Sequence, residues 1–541
     1  MTVLSPPFPV PGRRAVAACD HPEAARVAVE ILARGGNAVD AAVAMSLALG
    51  VLCPHYLGIG GGGFMLVWRP GMEEPELLDY RETAPAAAHA DMFEGRERAS
   101  LRGALSVAVP SALAGLAEVL ARHGSMSWQE LLEPAADLAR RGFPVYANLH
   151  RITHLSRGQL RLHPGCGRLF LRGQEAWPLG ETLTLPDLAD TLGRLARLGP
   201  EEFYRGELAR RLVAEVQRGG GILTASDLAA YRPVWRRPLR GEYRGHTLYT
   251  VPPPSGGGYQ VVACLGLLES FDFSPQAAGS SAAAHLLAEA FRLTFAERSA
   301  FVADPAFAPV PLAEMLAPQR LEALRRMIHP RRAQDLPDLP PLPGLPAGPG
   351  GTSSYAVADR VGGWVVATES INLWFGSMVV PPGTGILLNN LMNDFSRRPG
   401  IPDAFGLVSS VHNRVEPGKR PASSSAPVLV FRQGRPVMAV GSAGGSRIPT
   451  SVVQILMGLI DYRWNAAQAL AAPRVHHQWL PPELAVESAV PPDVRCNLEA
   501  RGHQVVEGPC RSHAVALAWS EEDQLFWAAG DPRSGGGAAG L

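Results

Sequence analysis

The rhythm of apolar and polar positions changes along this chain, and the change falls near residue 350. Before it, helical spacing dominates. Residues 20–34, DHPEAARVAVEILAR, put Ala24, Val27 and Ile31 on one face. Asp20 is expected to cap this helix, with Pro22 in its first turn and Glu23 supporting the start. GGN at 35–37 should end it. A second helix is expected from about Ala38. Its apolar run AAVAMSLALGVLC, 41–53, is too short to span a bilayer and reads as a buried helix. IGGGGFMLVW, 59–68, joins a glycine run to a strand. No Lys-Ser/Thr follows, so tight strand packing or a ligand-side loop is expected rather than a phosphate loop. Residues 108–340 are mainly helical, as in SWQELLEPAADLARRG and SAAAHLLAEAFRLTFAERSAFV. PPPSGGG, 252–258, is a loop between HTLYTV and the helix that contains YQVVACLGLLES.

A proline- and glycine-rich stretch, DLPDLPPLPGLPAGPGG at 335–351, reads as an extended linker. After it the period shortens to two: TSSYAVAD, WVVATESIN, PVLVF, RPVMAVGSA, HAVALAW and LFWAAG all read as strands. Two helices, 450–462 and 465–473, interrupt them. Mixed helices and strands in both halves predict α/β layers rather than a barrel. Dinucleotide binding is disfavoured, because no GxGxxG sits in a βαβ setting.

Composition narrows the function. The chain has 541 residues, 46% of them hydrophobic, enough for a large buried core. Fifty basic residues balance fifty acidic ones. That balance argues against a nucleic-acid partner, which needs a basic excess or stripe. The six cysteines show no CxxC spacing, so neither a metal knuckle nor a redox pair is expected, and disulfides are not expected either. At the N-terminus the arginines follow the apolar residues, the wrong order for a secretory signal, so a cytoplasmic location without membrane attachment is expected by default.

GPGGTSSYAVAD, 348–359, raises the main chemical question. An ordinary strand starting after a linker would explain it. A second reading makes Gly351–Thr352 a self-cleavage site. The Thr352 hydroxyl could attack the Gly351 carbonyl, which glycine leaves sterically open. The cut would free an α-amine on Thr352, of ordinary pKa about 8, close enough to its own hydroxyl to act as base. Other segments favour this reading. Consecutive amides at Gly444–Gly445 in GSAGGSR could converge on one oxygen. KRPASSSAP concentrates hydroxyls, NNLMNDFS supplies Asn and Asp, and DYRETAP offers Arg81 to a carboxylate.

These stretches, with ARGGNAVDAAVA, GGGGFMLV, DLAAYRPV, TVPPPSGGG, LAEAFRLTFAERSAFVADP, GTGILLNNLMNDFS, GLVSSVHNRVEPGKRPASSSAP, APRVHHQWLP and DPRSGG, resemble the gamma-glutamyltransferase (gamma-glutamyltranspeptidase) family in family order from about residue 15 to 540. The resemblance implies an α+β chain with the four-layer αββα fold of N-terminal-nucleophile hydrolases. It implies a large segment 1–351 and a small segment 352–541, intertwined in one domain after self-cleavage, with a homodimer possible. It implies a γ-glutamyl amide as substrate, water or an amino acid or dipeptide as acceptor, and no cofactor or metal. By this resemblance Thr352 is the nucleophile and Ser370 contacts its amine. Asn372 and Asp394 hold the substrate α-amino group. Arg81, Ser423 and Ser424 hold its α-carboxylate, and Gly444 and Gly445 form the oxyanion hole. Residues 397–418 fall on a substrate-covering lid, with Phe405 near an aromatic position of lidded members.

Two positions depart from the family pattern. Ser354 replaces a larger polar residue. Leu391 stands where these transferases carry Gln or Glu facing the α-amino group, and leucine cannot accept that hydrogen bond. The departures keep two alternatives open: a related acylase of the glutaryl-cephalosporin or small-acid type, and a non-catalytic scaffold that never cuts itself. Elsewhere ordinary roles are expected. His476 and His477 should pack rather than bind metal, and Asp531 should cap a turn. Trp374 and Phe375 fit pocket edge or core equally, and Arg81 has an alternative ion pair near Asp79 or Glu82.

Overall fold

The computed structural model describes residues 8–274, 277–334, 350–397, 400–509 and 511–541. Residues 335–349 of the expected linker, Cys510, and positions 398 and 399 of the expected lid lie outside these. Two seven-stranded antiparallel sheets stack face to face. One runs in the order Gly537–Gly540, Ala15–Cys19, Gly350–Asp359, Trp364–Leu373, Gly62–Trp68, Glu76–Tyr80, Val234–Arg236. The other runs Val10–Gly12, Leu525–Gly530, His513–Ser520, Arg435–Ala443, Val428–Arg432, His246–Thr250, Leu239–Tyr243. Alternation along the strands explains the stacking. Val16, Ala18, Phe64, Leu66, Ala356, Val366, Leu429, Ala439 and Leu517 share the buried layer between the sheets. The opposite faces carry helices. Pro22–Ala33 and Ala38–Leu52 cover the first sheet, and Gly256–Leu268, Ser281–Phe301 and Arg447–Ile460 cover the second. The result is the αββα sandwich.

Ala38–Leu52 is buried on nearly every side, as its unbroken apolar run requires, and Asn37 and Asp40 close a capping box at its start. The glycine run before Gly62–Trp68 marks close packing. A Cβ on Gly61 would strike the backbone carbonyl of Ser370. One capping expectation is corrected. The N-cap of Pro22–Ala33 is His21, whose ring nitrogen accepts from the Glu23 amide at 3.2 Å. Asp20 is committed elsewhere. Its carboxylate binds Ser353 Oγ at 2.6 Å, His513 Nδ1 at 2.6 Å and Ser534 Oγ at 3.1 Å, which leaves it no geometry for the helix end. The helix Pro492–Ala500 was not anticipated, since it offers only Val494 and Leu498 to the interior.

The five described cysteines are free thiols. No described helix is long and apolar enough to cross a membrane. Among the described residues no group of three or more His, Cys, Asp or Glu could hold a metal ion. His476 hydrogen-bonds Thr450 and Gln478, and Asp531 accepts from the Arg533 amide at 3.0 Å in its turn.

Candidate active site

Thr352 sits in the third position of the strand Gly350–Asp359, which pairs with Trp364–Leu373. The register breaks at the expected scissile bond. Gly351 faces Asn372, but Thr352 faces Ser370, so Ile371 is an extra residue in the partner strand. Asn372 takes up the strain with φ 80°. The bulge turns Ser370 Oγ toward the break. It receives the Asn372 amide at 2.8 Å and donates to the Gly351 carbonyl at 2.8 Å. Its single proton is thereby used, so at 3.0 Å the Thr352 hydroxyl is the donor to Ser370. One serine thus polarises the Gly351 carbonyl and holds the Thr352 oxygen beside it.

Gly444 and Gly445 connect the strand Arg435–Ala443 to the helix Arg447–Ile460, with φ of 128° and 60°. Their carbonyls accept from Arg447 and Ile448, while neither amide has a partner among the described residues. The Gly445 nitrogen lies 3.1 Å from where a Cβ on Gly350 would stand, which puts this amide against the strand Gly350–Asp359 at a helix N-terminus.

A cavity of about 30 Å³ opens in front of Thr352. Arg81, Ser370, Asn372, Asp394, Ser423, Ser424 and Gly445 all line it, and Gly444 adjoins Gly445. Arg81 leaves the end of Glu76–Tyr80, and its Nη2 meets Asp394 Oδ2 at 2.5 Å. The same guanidinium donates to the carbonyls of Pro421 and Ala422, so it anchors the segment that carries the serines. Asp394 Oδ1 is buried without a partner. Burial holds this carboxyl above its ordinary range despite Arg81 beside it. Of the two structural alternatives for Arg81, Asp79 accepts only its backbone amide, at 2.9 Å, and pairs with Arg236 at 2.7 Å, whereas Glu82 Oε2 does lie in ion-pair range of Arg81 Nη1 at 3.9 Å.

Leu391 is not where the resemblance implies. It is fully buried in an apolar cluster with Ala84, Ala88, Phe93 and Phe395, outside the lining of the cavity. Its side chain therefore places no apolar wall in the cavity. Ser354 donates to the Ser442 carbonyl at 2.9 Å and ties the strand Gly350–Asp359 to the second sheet. Beside it, Gly441 leaves only 2.9 Å between the Ser354 Cβ and a Cβ of its own, so the small residue fits the seam. Phe375 is core and Trp374 is partly buried against it; neither lines the cavity. From the lid segment Asp403, Phe405 and Leu407 line the cavity, with the Phe405 ring lying on Gly445.

Several polar residues of this region were not anticipated. Glu369 accepts from Ser46 at 2.6 Å, Tyr80 at 2.8 Å and Tyr355 at 2.6 Å. Asp403 accepts the amides of Phe405 and Leu407 and is pushed up to about 7 by burial and then by the neighbouring Asp394 charge. Arg298 lines the cavity from the helix Ser281–Phe301. A charged residue buried on this helix marks the site, but the burial comes from packing and is not recorded in the sequence.

Glu82 follows Arg81, and both its oxygens are buried without a hydrogen-bond partner. Burial pushes its carboxyl up to about 8. An unfolded glutamate releases its proton near 4.3. Between those values the folded chain holds a proton the unfolded one lacks, so stability declines as pH rises through the window. Glu82→Gln is expected to flatten that slope and to stabilise the chain by a few kcal/mol at pH 9 relative to pH 5, read from urea unfolding at the two pH values.

The model of the Gamma-glutamyltranspeptidase family matches residues 24–541. The chain belongs to that family. Gamma-glutamyltranspeptidase relatives include the "Glutathione hydrolase proenzyme" of Escherichia coli (strain K12), 38% identical over 532 residues, which cover 97% of this chain and 91% of the relative. The "Acylase ACY 1 proenzyme" of Pseudomonas sp. (strain SE83) is 37% identical over 533 residues, covering 96% and 92%. Among solved structures, cephalosporin acylase from Bacillus halodurans superposes with a TM-score of 0.89 at 28% identity, covering 100% of this chain and 98% of that one.

Proposed function

We propose that this chain is a self-processing amide hydrolase and acyltransferase of the gamma-glutamyltranspeptidase family, acting on γ-glutamyl amides such as glutathione through an acyl-enzyme on Thr352. The contact set around Ser370 carries the reading: one hydroxyl touches the Thr352 oxygen, the Gly351 carbonyl and the break in strand register. In maturation the Thr352 oxygen bonds to the Gly351 carbon. The Gly351–Thr352 C–N bond breaks, and the hydroxyl proton passes to the Thr352 nitrogen. Water then hydrolyses the ester and leaves segments 1–351 and 352–541.

In turnover the free α-amine takes the hydroxyl proton as Thr352 attacks the substrate carbonyl. The oxyanion points at the unpartnered amides of Gly444 and Gly445. The leaving amine departs with the proton, and water or an amine acceptor takes the acyl group. Arg81, Ser423 and Ser424 supply donors for an acyl-group carboxylate, while Asp394 and Asn372 supply acceptors for an α-ammonium. A second reading, an acylase for glutaryl-type groups, which need no ammonium acceptor, is supported by the 37% identity to the Acylase ACY 1 proenzyme and the superposition with cephalosporin acylase. Intact mass of purified protein tests the maturation. Hydrolysis of γ-glutamyl-p-nitroanilide against glutaryl-p-nitroanilide then separates the two substrates. An uncut, inactive chain overturns both readings.

Ser370→Ala removes the hydroxyl that polarises Gly351 and is expected to slow self-cleavage by about 10- to 100-fold, the worth of one charge-assisted or oxyanion-type donor. Ser370→Thr keeps the hydroxyl and should cut at near the wild-type rate. The measurement is the fraction of cut chain against time.

A further inference from the structure

The cavity holds two cations, and only one has a partner. Arg81 is paired with Asp394. Arg298 is 3% exposed, its Nε is buried without a hydrogen-bond partner, and it has no ion pair or hydrogen bond among the described residues. A buried guanidinium without a counter-ion is costly, and burial here also weakens its hold on the proton. The charges of Asp403 and Asp394, both on the cavity wall, act on it without forming an ion pair.

Packing fixes which end of the cavity Arg298 serves. Its Cγ stands 2.8 Å from where a Cβ on Gly256 would be, so its stem crosses the start of the helix Gly256–Leu268 at a residue without a side chain. That helix start is stitched to the serine segment. The Gly256 amide donates to the Ser423 carbonyl at 2.9 Å, and Ser255 Oγ donates to the Ser425 carbonyl at 2.6 Å. Arg298 therefore enters beside Ser423 and Ser424. We propose that Arg298 receives the distal carboxylate of the acyl group at this end of the cavity, so that the site selects dicarboxylic acyl groups, γ-glutamyl and glutaryl alike, over uncharged ones. The proposal rests on Thr352 being the acyl-forming nucleophile. Arg81, held by Asp394 and two backbone carbonyls, then shares the carboxylate with a second guanidinium whose Nε has no hydrogen-bond partner of its own.

The test compares kcat/KM for glutaryl-p-nitroanilide with that for butyryl-p-nitroanilide, which differs by the carboxylate, in wild type and Arg298→Gln after intact mass has confirmed cutting. The ratio is expected to fall about 10- to 100-fold in R298Q, through KM for the glutaryl substrate. Where R298Q fails to cut itself, Arg298→Lys carries the test. Lysine lacks the planar fork, and the ratio is expected to fall about tenfold. An unchanged ratio in a cut variant, with both substrates slowed equally, overturns the proposal and leaves the function standing. A cut wild type that hydrolyses neither these nor γ-glutamyl-p-nitroanilide overturns the function and this inference with it.

Discussion

A Thr352→Ala chain is expected to remain one 541-residue polypeptide and to show no turnover above background. Both losses come from one atom. The Thr352 oxygen is the group held beside the Gly351 carbonyl by Ser370, and the same oxygen would carry the acyl group afterwards. Without it no N-terminal amine is generated, so base and nucleophile vanish together. Removing a nucleophile that works as a unit with its base costs about 10⁶ in rate. Thr352→Ser keeps an oxygen and should still cut, more slowly, since serine lacks the methyl group that limits the rotamer. The control is folding. Thr352 is buried and Ala removes only its hydroxyl and methyl, so the uncut variant should melt cooperatively. A mass spectrum settles the cleavage; a variant that still yields a chain beginning at residue 352 would refute the mechanism.

Arg81→Gln is the second large effect. Arg81 and Asp394 are buried side by side, and removing one partner strands the other. Breaking such a pair costs about 3–5 kcal/mol. Asp394 already sits above its ordinary value because of burial, with Arg81 the main force pulling it down. Without Arg81 it rises further, and the folded state then holds a proton that the unfolded state releases near 3.9. Stability is therefore retained at low pH and lost as pH rises. Thermal melts of R81Q and wild type should lie close at pH 5 and separate widely at pH 8. The double variant Arg81→Gln/Asp394→Asn removes the stranded charge and should recover most of the stability. It should not recover kcat/KM on γ-glutamyl-p-nitroanilide, expected about 10³-fold below wild type. Equal pH profiles for R81Q and wild type would show that the pair is not buried as described.

The layered architecture was legible because strand alternation and helical spacing are local signals. The period-2 run from Thr352 does form a central strand, and the run at 41–53 does form a buried helix. The cavity residues were legible for a different reason: their short motifs resemble those of a known family, and eight of the nine expected catalytic and binding residues line one cavity. What could not be read was direction. Asp20 looked like a cap because sequence places it before Pro22, yet its carboxylate turns toward Ser353 and His513. Leu391 has the spacing of a site residue, but the single turn Leu391–Asp394 sends it into an apolar cluster and Asp394 into the cavity. Arg298 and Asp403 reach the cavity only because distant segments pack there, and no local pattern records that.

The strand order has a consequence for the cut protein. In the first sheet Ala15–Cys19 lies between Gly537–Gly540 and Gly350–Asp359, and Trp364–Leu373 lies between Gly350–Asp359 and Gly62–Trp68. Strands from before and after residue 352 are interleaved across one hydrogen-bonded ladder. A protein severed at that residue would keep its two pieces without any covalent link, and neither piece could leave without dismantling the sheet. Its folding would then become a one-way event. The uncut chain refolds as a single molecule, but the severed one must find its other half, so recovery from urea should be first-order before the cut and second-order, dilution-sensitive and poor after it.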